Sequence, residues 1–540
     1  MISMSGQEHF VELRDPSVAP APVPAAADSS GAQGMAAYTR RVGATPVAIV
    51  LTLAGVFASV TIIPYAFSDD YPILWMAIGG GPSVQFGKNV VDAGAINGRP
   101  FAGLITQWLF SAAGTVENLR WVRVLTVVGI IALALLLQWA LVRSGTKPVV
   151  AALIAIFICS MPPFQVWASW TLLVSTPFAA LAAAGASRVA VAAVDGPRRI
   201  MTDRLVGAGG LLLAALLTYQ PAAMLFWVFF AVALIGAAQE PQRAGRLVRV
   251  HFGLAAVTLA IAYLVIKVSV HLIGTHATGA SRNTLVHDYG GKLDFFFHRP
   301  LYQALNLFKL VPSPWVAIPV AIIATVGTLL LILQRCARPI LYVVVGLALI
   351  PLSFLPNLVV AENTPNFRVQ VAITSLIALY ASLGVIGIWI GVRDWLGPRL
   401  RTNSLLTVER IAFGCCVGVV GVTAFLAAQN VLTLFADPQL TELRLLRGQV
   451  AALPANPPRV AFVQTGYTQG LTKLALLGEF GVPTTVQIFN LEPSLYLLLH
   501  EEGRLPMDAA RPTVDLYSPD ATTFPRGEPV IDLRFMQRLR

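Results

Sequence analysis

Two adjacent aspartates, Asp69 and Asp70, follow an apolar run over residues 47–67, in the stretch Tyr65-Ala66-Phe67-Ser68-Asp69-Asp70-Tyr71. Carboxylates at the end of a segment long enough to cross a bilayer are costly unless a cation makes use of them. One of the two could take the proton of an attacking hydroxyl, and the pair could hold a divalent cation beside a phosphate. The plainer reading is that they cap a helix beginning near Pro72, since acidic side chains favour helix N-termini. Capping asks for one acidic group, and here there are two.

Four other polar groups interrupt apolar sequence. Arg99, in Asn97-Gly98-Arg99-Pro100, could grip a phosphate or a sugar acid, or serve as a snorkelling anchor. Tyr219-Gln220, just before Pro221, offers an amide able to read a sugar hydroxyl or a head group. An aromatic-belt tyrosine beside a turn amide is the structural alternative. The stretch from His271 to Arg299 gathers His276, Arg282, His287, Lys292 and His298, which suits an anionic head group at a membrane surface or simply a solvated loop. Its histidines lack a helical ligand spacing, which makes zinc a poor fit. Arg368 ends the short turn Glu362-Asn363-Thr364-Pro365-Asn366-Phe367-Arg368, well placed to neutralise a phosphate, with Glu362 a candidate partner. The cysteines (Cys159, Cys336, Cys415 and Cys416) sit in or beside apolar runs without metal spacing and read as small buried side chains.

The elements that must position these groups follow from composition. The chain is 56% hydrophobic and 12% charged, against roughly 25% charged in soluble domains. Its mean hydropathy is +0.70, so most of it cannot be an aqueous globule. We read an all-α polytopic membrane protein with about 11 spans of the length a bilayer requires: 47–67, 121–142, 148–164, 167–187, 204–219, 221–238, 250–273, 315–334, 340–360, 369–392 and 408–430. The net charge of +11 would point to nucleic acid in a soluble protein. Here Arg40/Arg41, Arg143/Lys147, Arg188 to Arg204, Arg243 to Arg249, Arg335/Arg338 and Arg393 to Arg401 all fall on one side of the count. That alternation follows the positive-inside rule with a cytoplasmic N-terminus, and it places both aspartates and the C-terminus outside. No nucleic-acid partner is expected.

Residues 100–115 are apolar enough to imitate a span, but counting them as one would break the charge alternation. A short helix lying in the interface, or re-entering the outer leaflet, is expected instead. The chain divides into a disordered tail over 1–45, a membrane catalytic region over 46–435 and a small extracytoplasmic α/β unit over 436–540. That unit should carry a strand near Val460 and helices near 468–479 and 492–501.

The order Ser68-Asp69-Asp70-Tyr71, Asn97-Gly98-Arg99-Pro100, Tyr219-Gln220 and Phe367-Arg368 resembles the bacterial membrane glucosyltransferases that modify O-antigen, within the wider GT-C superfamily. The resemblance spans roughly residues 47–430. It implies a GT-C-like fold in a bacterial inner membrane. The implied reaction is inverting transfer of a hexose, glucose by resemblance, from a polyprenyl-phosphate donor to an extracytoplasmic glycan or lipid-linked acceptor. Asp69 or Asp70 would act as base, with Mg²⁺ or Mn²⁺ supporting the leaving phosphate, and Arg368, Arg99 or Arg282 would neutralise it. Tyr219 and Gln220 fall on the same face. A transporter or flippase of lipid-linked glycans, marked by a mid-membrane charge such as Lys267, and a glycan polymerase are the alternatives.

Overall fold

The protein is seen here as a computed structural model, described over residues 43–82, 86, 88–273, 284–399, 402–463, 479–518, 520–521, 523 and 527–534. Arg282, His276, residues 1–42 and most of the helix expected at 468–479 lie outside the described residues.

In lipid the backbone has only itself to bond to, so apolar runs become helices. Among the described residues, seven are long and apolar enough to cross a membrane: Leu119–Arg143, Thr171–Asp195, Arg198–Thr218, Pro241–Leu272, Pro314–Arg335, Val371–Leu396 and Ser404–Ala452. An eighth span results if Pro148–Cys159 and Pro162–Ser169, bent by 62°, count as one. The three remaining runs read from the sequence form shorter apolar helices. The first breaks at Phe57 into Thr45–Val56 and Ala58–Ile62, and the others are Gln220–Ile235 and Pro339–Leu352. Pro162 and Pro163 open the second arm of the bent pair, where neither ring can continue the preceding helical ladder.

The long helices turn large apolar side chains outward, including Trp315 at 89% and Val206 at 70% exposure, as a lipid-facing surface requires. Inside, small residues let backbones approach. A Cβ added to Gly384 or Gly327 would overlap backbone of the facing helix, so Pro314–Arg335 and Val371–Leu396 touch almost main chain to main chain.

The helix Leu119–Arg143 carries Arg123 near one end and Arg143 at the other, and at 1.5 Å per residue it is about 37 Å long. Around Arg143 gather Trp139, Arg188, Asp195, Arg243 and the 335–338 turn. Arg143 and Arg188 both face Trp139, Arg243 pairs with Asp195 at 2.8 Å, and the amide of Ala337 donates to Ala238. Around Arg123 gather the aspartate motif and the groups that accompany it. Basic loops and acidic motif therefore occupy opposite ends of the bundle.

Residues Pro100–Ala113 form a 14-residue helix, too short to span, with Trp108 71% exposed. The helix Ser404–Ala452 runs without interruption across residue 436. Beyond it lies a three-stranded parallel sheet: β1 (Arg459–Val463) in the centre, flanked by β2 (Thr513–Tyr517) and β3 (Val530–Asp532). Helix Ile488–Glu501, where the sequence predicts one over 492–501, packs on Asp70–Ala77. Tyr71, Trp75, Phe110, Leu443, Phe462 and Leu495 share one core, so the C-terminal unit and the segment after the first apolar run are buried against each other. Arg447 fastens them further, reaching Glu117 and Glu501 at 2.6 Å each.

Candidate functional site

Arg123 builds the floor. Fully buried, it donates to the carbonyls of Val60 at 2.7 Å, Ile63 at 3.0 Å and Tyr65 at 2.9 Å, and to Thr171 Oγ1 at 2.9 Å. Its guanidinium also lies 3.9 Å from the Tyr65 ring centroid. These are carbonyls that the end of the first apolar helix would otherwise leave unsatisfied. One cation thus ties the approach to the aspartates onto the segment starting at Thr171.

The structure separates the two aspartates. Asp70 is fully buried, and its oxygens accept the amides of Phe67 at 3.0 Å and Leu172 at 2.9 Å. Burial pushes its carboxyl up to about 7, against the pull of the Phe67 amide and Arg123 in the other direction. With both oxygens facing amides, Asp70 is a strut and does not fit the role of base. Asp69 is half-buried, with Ser68 Oγ 3.1 Å from its Oδ1. Ser68 itself has φ of +50°, a left-handed conformation that costs a non-glycine residue energy and often accompanies a functional site. As a pair the aspartates do not fit the expected Mg²⁺ or Mn²⁺, since Asp70 has no free face. Among the described residues no three His, Cys, Asp or Glu side chains form a metal-holding group.

Arg368 heads the helix Val371–Leu396 through a short 3₁₀ turn, Phe367–Val369. Its Cζ stands 4.4 Å from the centroid of Trp170, and its Nε lies 3.8 Å from a Glu479 oxygen. The partner expected for it, Glu362, instead receives Lys292 Nζ on its carbonyl at 2.7 Å, with Asn363 Oδ1 also 2.7 Å from that ammonium. Burial pulls the Lys292 ammonium down, so this cation of the 271–299 stretch serves to pin the 361–368 turn.

Arg99 and the Tyr219-Gln220 pair meet. Arg99 Cζ stands 4.5 Å from the Tyr219 centroid, and Gln220 Nε2 donates to the Gly98 carbonyl at 2.5 Å. Gly98 adopts φ of +71°, which lets that carbonyl turn toward Gln220. Gln220 therefore holds the loop that presents Arg99.

Two tryptophans outside the sequence-predicted set join these groups. Trp170 packs edge-on against Phe67 at 5.0 Å while carrying Arg368 on its face. Trp167 donates to the Arg368 carbonyl at 3.2 Å and packs against Tyr219 at 6.5 Å. Arg368 thus bridges two indoles, Trp170 toward the acidic motif and Trp167 toward Tyr219 and the Arg99 group. Trp170 is 4% exposed, and its Nε1 donor has no partner among the described residues. The available signal was Trp167-Ala168-Ser169-Trp170 directly after Pro162-Pro163, an aromatic pair beside a proline break.

The sequence profile described as Glucosyl transferase GtrII matches residues 83–386, more than half of the chain. No curated protein matches. Among solved structures the chain is similar to the archaeal oligosaccharyltransferase AglB from Archaeoglobus fulgidus, in complex with an inhibitory peptide and a dolichol-phosphate. Identity is 12%, and the TM-score of 0.40 falls short of a shared fold. The match covers 76% of this chain and 58% of AglB.

Proposed function

We propose, from the premise that the chain belongs to the Glucosyl transferase GtrII family, that it moves a hexose from a polyprenyl-phosphate donor to a glycan or lipid-linked acceptor. It is a membrane glycosyltransferase. The observation that carries the finer reading is that Arg368 stacks on Trp170, which packs on Phe67, two residues before the half-buried Asp69.

In this reading an acceptor hydroxyl attacks the anomeric carbon of the donor sugar from the face opposite the phosphate. The new carbon–oxygen bond forms as the bond to the phosphate oxygen breaks, and polyprenyl phosphate leaves with inversion. Asp69 takes the hydroxyl proton. Arg368 binds the donor phosphate in the ground state and the transition state alike, so its loss or displacement is read mainly in the donor KM. The unpartnered Nε1–H of Trp170 is a second donor beside it. Arg99, on the Tyr219 ring, serves the sugar or the outer phosphate oxygens. The positive-inside rule supports an inner-membrane orientation with this site outside, since the arginine-rich turns gather at the opposite end. Lys267, the charge that would mark a transporter, stands 5.5 Å from the Tyr263 centroid.

The test is transfer of labelled glucose from a polyprenyl-phosphate-glucose by the purified protein, with Asp69→Asn alongside. The variant should lose activity by about 10²–10⁴-fold while melting like wild type. Undiminished transfer in Asp69→Asn would remove Asp69 from the mechanism.

A further inference from the structure

The stretch from Glu479 to Gln487 touches both halves of the site, although it lies more than a hundred residues after Arg368 and four hundred after Ser68. Glu479 is 5% exposed and accepts the amides of Phe367 at 3.0 Å and Arg368 at 3.3 Å, beside the Arg368 guanidinium. Phe480 packs edge-on between Phe367 at 5.3 Å and Phe435 at 4.9 Å, and Phe435 in turn meets Phe67 at 5.4 Å. Five residues after Glu479, Thr484 Oγ1 accepts the amide of Ser68 at 2.9 Å, and Gln487 Oε1 lies 2.6 Å from Ser68 Oγ. The stretch is itself clamped from below. Glu442, buried on the helix Asp437–Ala452, accepts the amides of Thr484 at 2.9 Å and Thr485 at 2.8 Å.

Buried carboxylates are costly unless donors surround them. Among the described residues, the donors that reach Glu479 from elsewhere in the fold belong to Phe367 and Arg368, so its burial holds that turn. An arginine has several rotatable bonds, and a guanidinium fixed between an indole face and a carboxylate loses little further entropy when it meets an anion. On the other side, the hydrogen bond to the Ser68 amide holds the residue whose left-handed backbone leads into Asp69.

We propose that Glu479 is a positioning residue for sugar transfer, and that the stretch from Glu479 to Gln487 sets the separation between Asp69 and Arg368. The C-terminal unit is then a structural part of the active site, built into it through Glu479, Thr484 and Gln487. This rests on the reading of Arg368 as the cation that meets the donor phosphate.

Two measurements on the full-length protein test it. Hydrogen exchange over residues 361–370 should accelerate about tenfold or more in Glu479→Gln, with the helix Val371–Leu396 unchanged. With polyprenyl-phosphate-glucose as probe, Glu479→Gln should raise the donor KM about tenfold while kcat stays within about threefold. Glu479→Asp, which keeps the charge with a shorter reach, should recover part of the loss and guards against a Gln variant that fails to fold. Unchanged exchange overturns the proposal whatever the activity. Faster exchange with an unchanged donor KM also overturns it, by reducing Glu479 to a packing role. Faster exchange in a protein whose wild type transfers no sugar from this donor defeats the donor assignment, and leaves the clamp on Arg368 established as structure without its catalytic purpose.

Discussion

Arg368 lies over the face of Trp170 with its Cζ 4.4 Å from the ring centroid, while the edge of the same indole packs on Phe67. One side chain therefore supports the cationic half of the site and borders the acidic half. Trp170→Leu keeps an apolar filler but removes the ring face, a contact worth about 0.5–2 kcal/mol. The donor KM should rise several-fold to about tenfold, as measured in steady-state kinetics at saturating acceptor. An unchanged KM would mean that Arg368 does not need the indole.

Asp70 gives the protein a pH dependence of definite sign. Its folded carboxyl is raised to about 7 by burial, against about 3.9 in an unfolded chain. Between those values the folded state holds the proton more tightly, so this group's contribution is complete below the unfolded value and is lost as pH rises through about 7. The melting temperature of the wild type should thus fall between about pH 5 and about pH 8 more steeply than that of Asp70→Asn, which has no carboxyl to titrate there. Parallel curves would show that Asp70 does not titrate in this range.

Arg123 should be among the residues least tolerant of change. Arg123→Met leaves the carbonyls of Val60, Ile63 and Tyr65 buried without their donor. A loss of about 3–5 kcal/mol is expected, read as poor yield of folded protein and a lowered melting temperature in detergent. Arg123→Lys, with one ammonium in place of a fork, should recover only part of it.

Gly384→Ala tests the helix contact behind Arg368. The added methyl would collide with the backbone around Ile323 on the facing helix, where no flexible side chain can yield. Overpacking of this kind costs about 1–3 kcal/mol. Because the same helix carries Arg368 at its head, activity should fall together with stability. Gly391→Ala on the same helix, whose Cβ would meet only the end of the Gln334 side chain at 3.6 Å, should be close to neutral.

Parts of this site were legible residue by residue. Asp69, Arg99, Gln220 and Arg368 stand out because a polar group beside a long apolar run needs a reason, and four of them in order resemble one family. The same logic could not rank Asp69 against Asp70. Neighbours in sequence present opposite environments once the chain turns at Ser68, and only the amides of Phe67 and Leu172 reveal which carboxylate is already satisfied. Trp167, Trp170 and Glu479 escaped notice for a related reason. Tryptophans in apolar sequence read as core or belt, and a glutamate far along the chain reads as solvated surface until a distant loop closes over it. Arg123 reads as one more arginine near the start of a span, although it is the buried tie beneath the aspartates.

By itself the sequence determined that this is a helical membrane protein with its basic turns apart from its acidic motif. Bilayer thickness and the cost of unpaired charge act locally, on runs of neighbouring residues. Span lengths followed less directly: Pro162-Pro163 marks the break after Cys159, whereas no proline marks the one at Phe57. Only the tertiary structure decided that Asp70 is already satisfied by amides while Asp69 stays half-buried, that Trp167 and Trp170 both contact Arg368, and that the C-terminal unit reaches Ser68 and Arg368. Apart from the Phe67 amide on Asp70, those facts rest on contacts between residues from about 50 to more than 400 positions apart, and no local pattern encodes such partners.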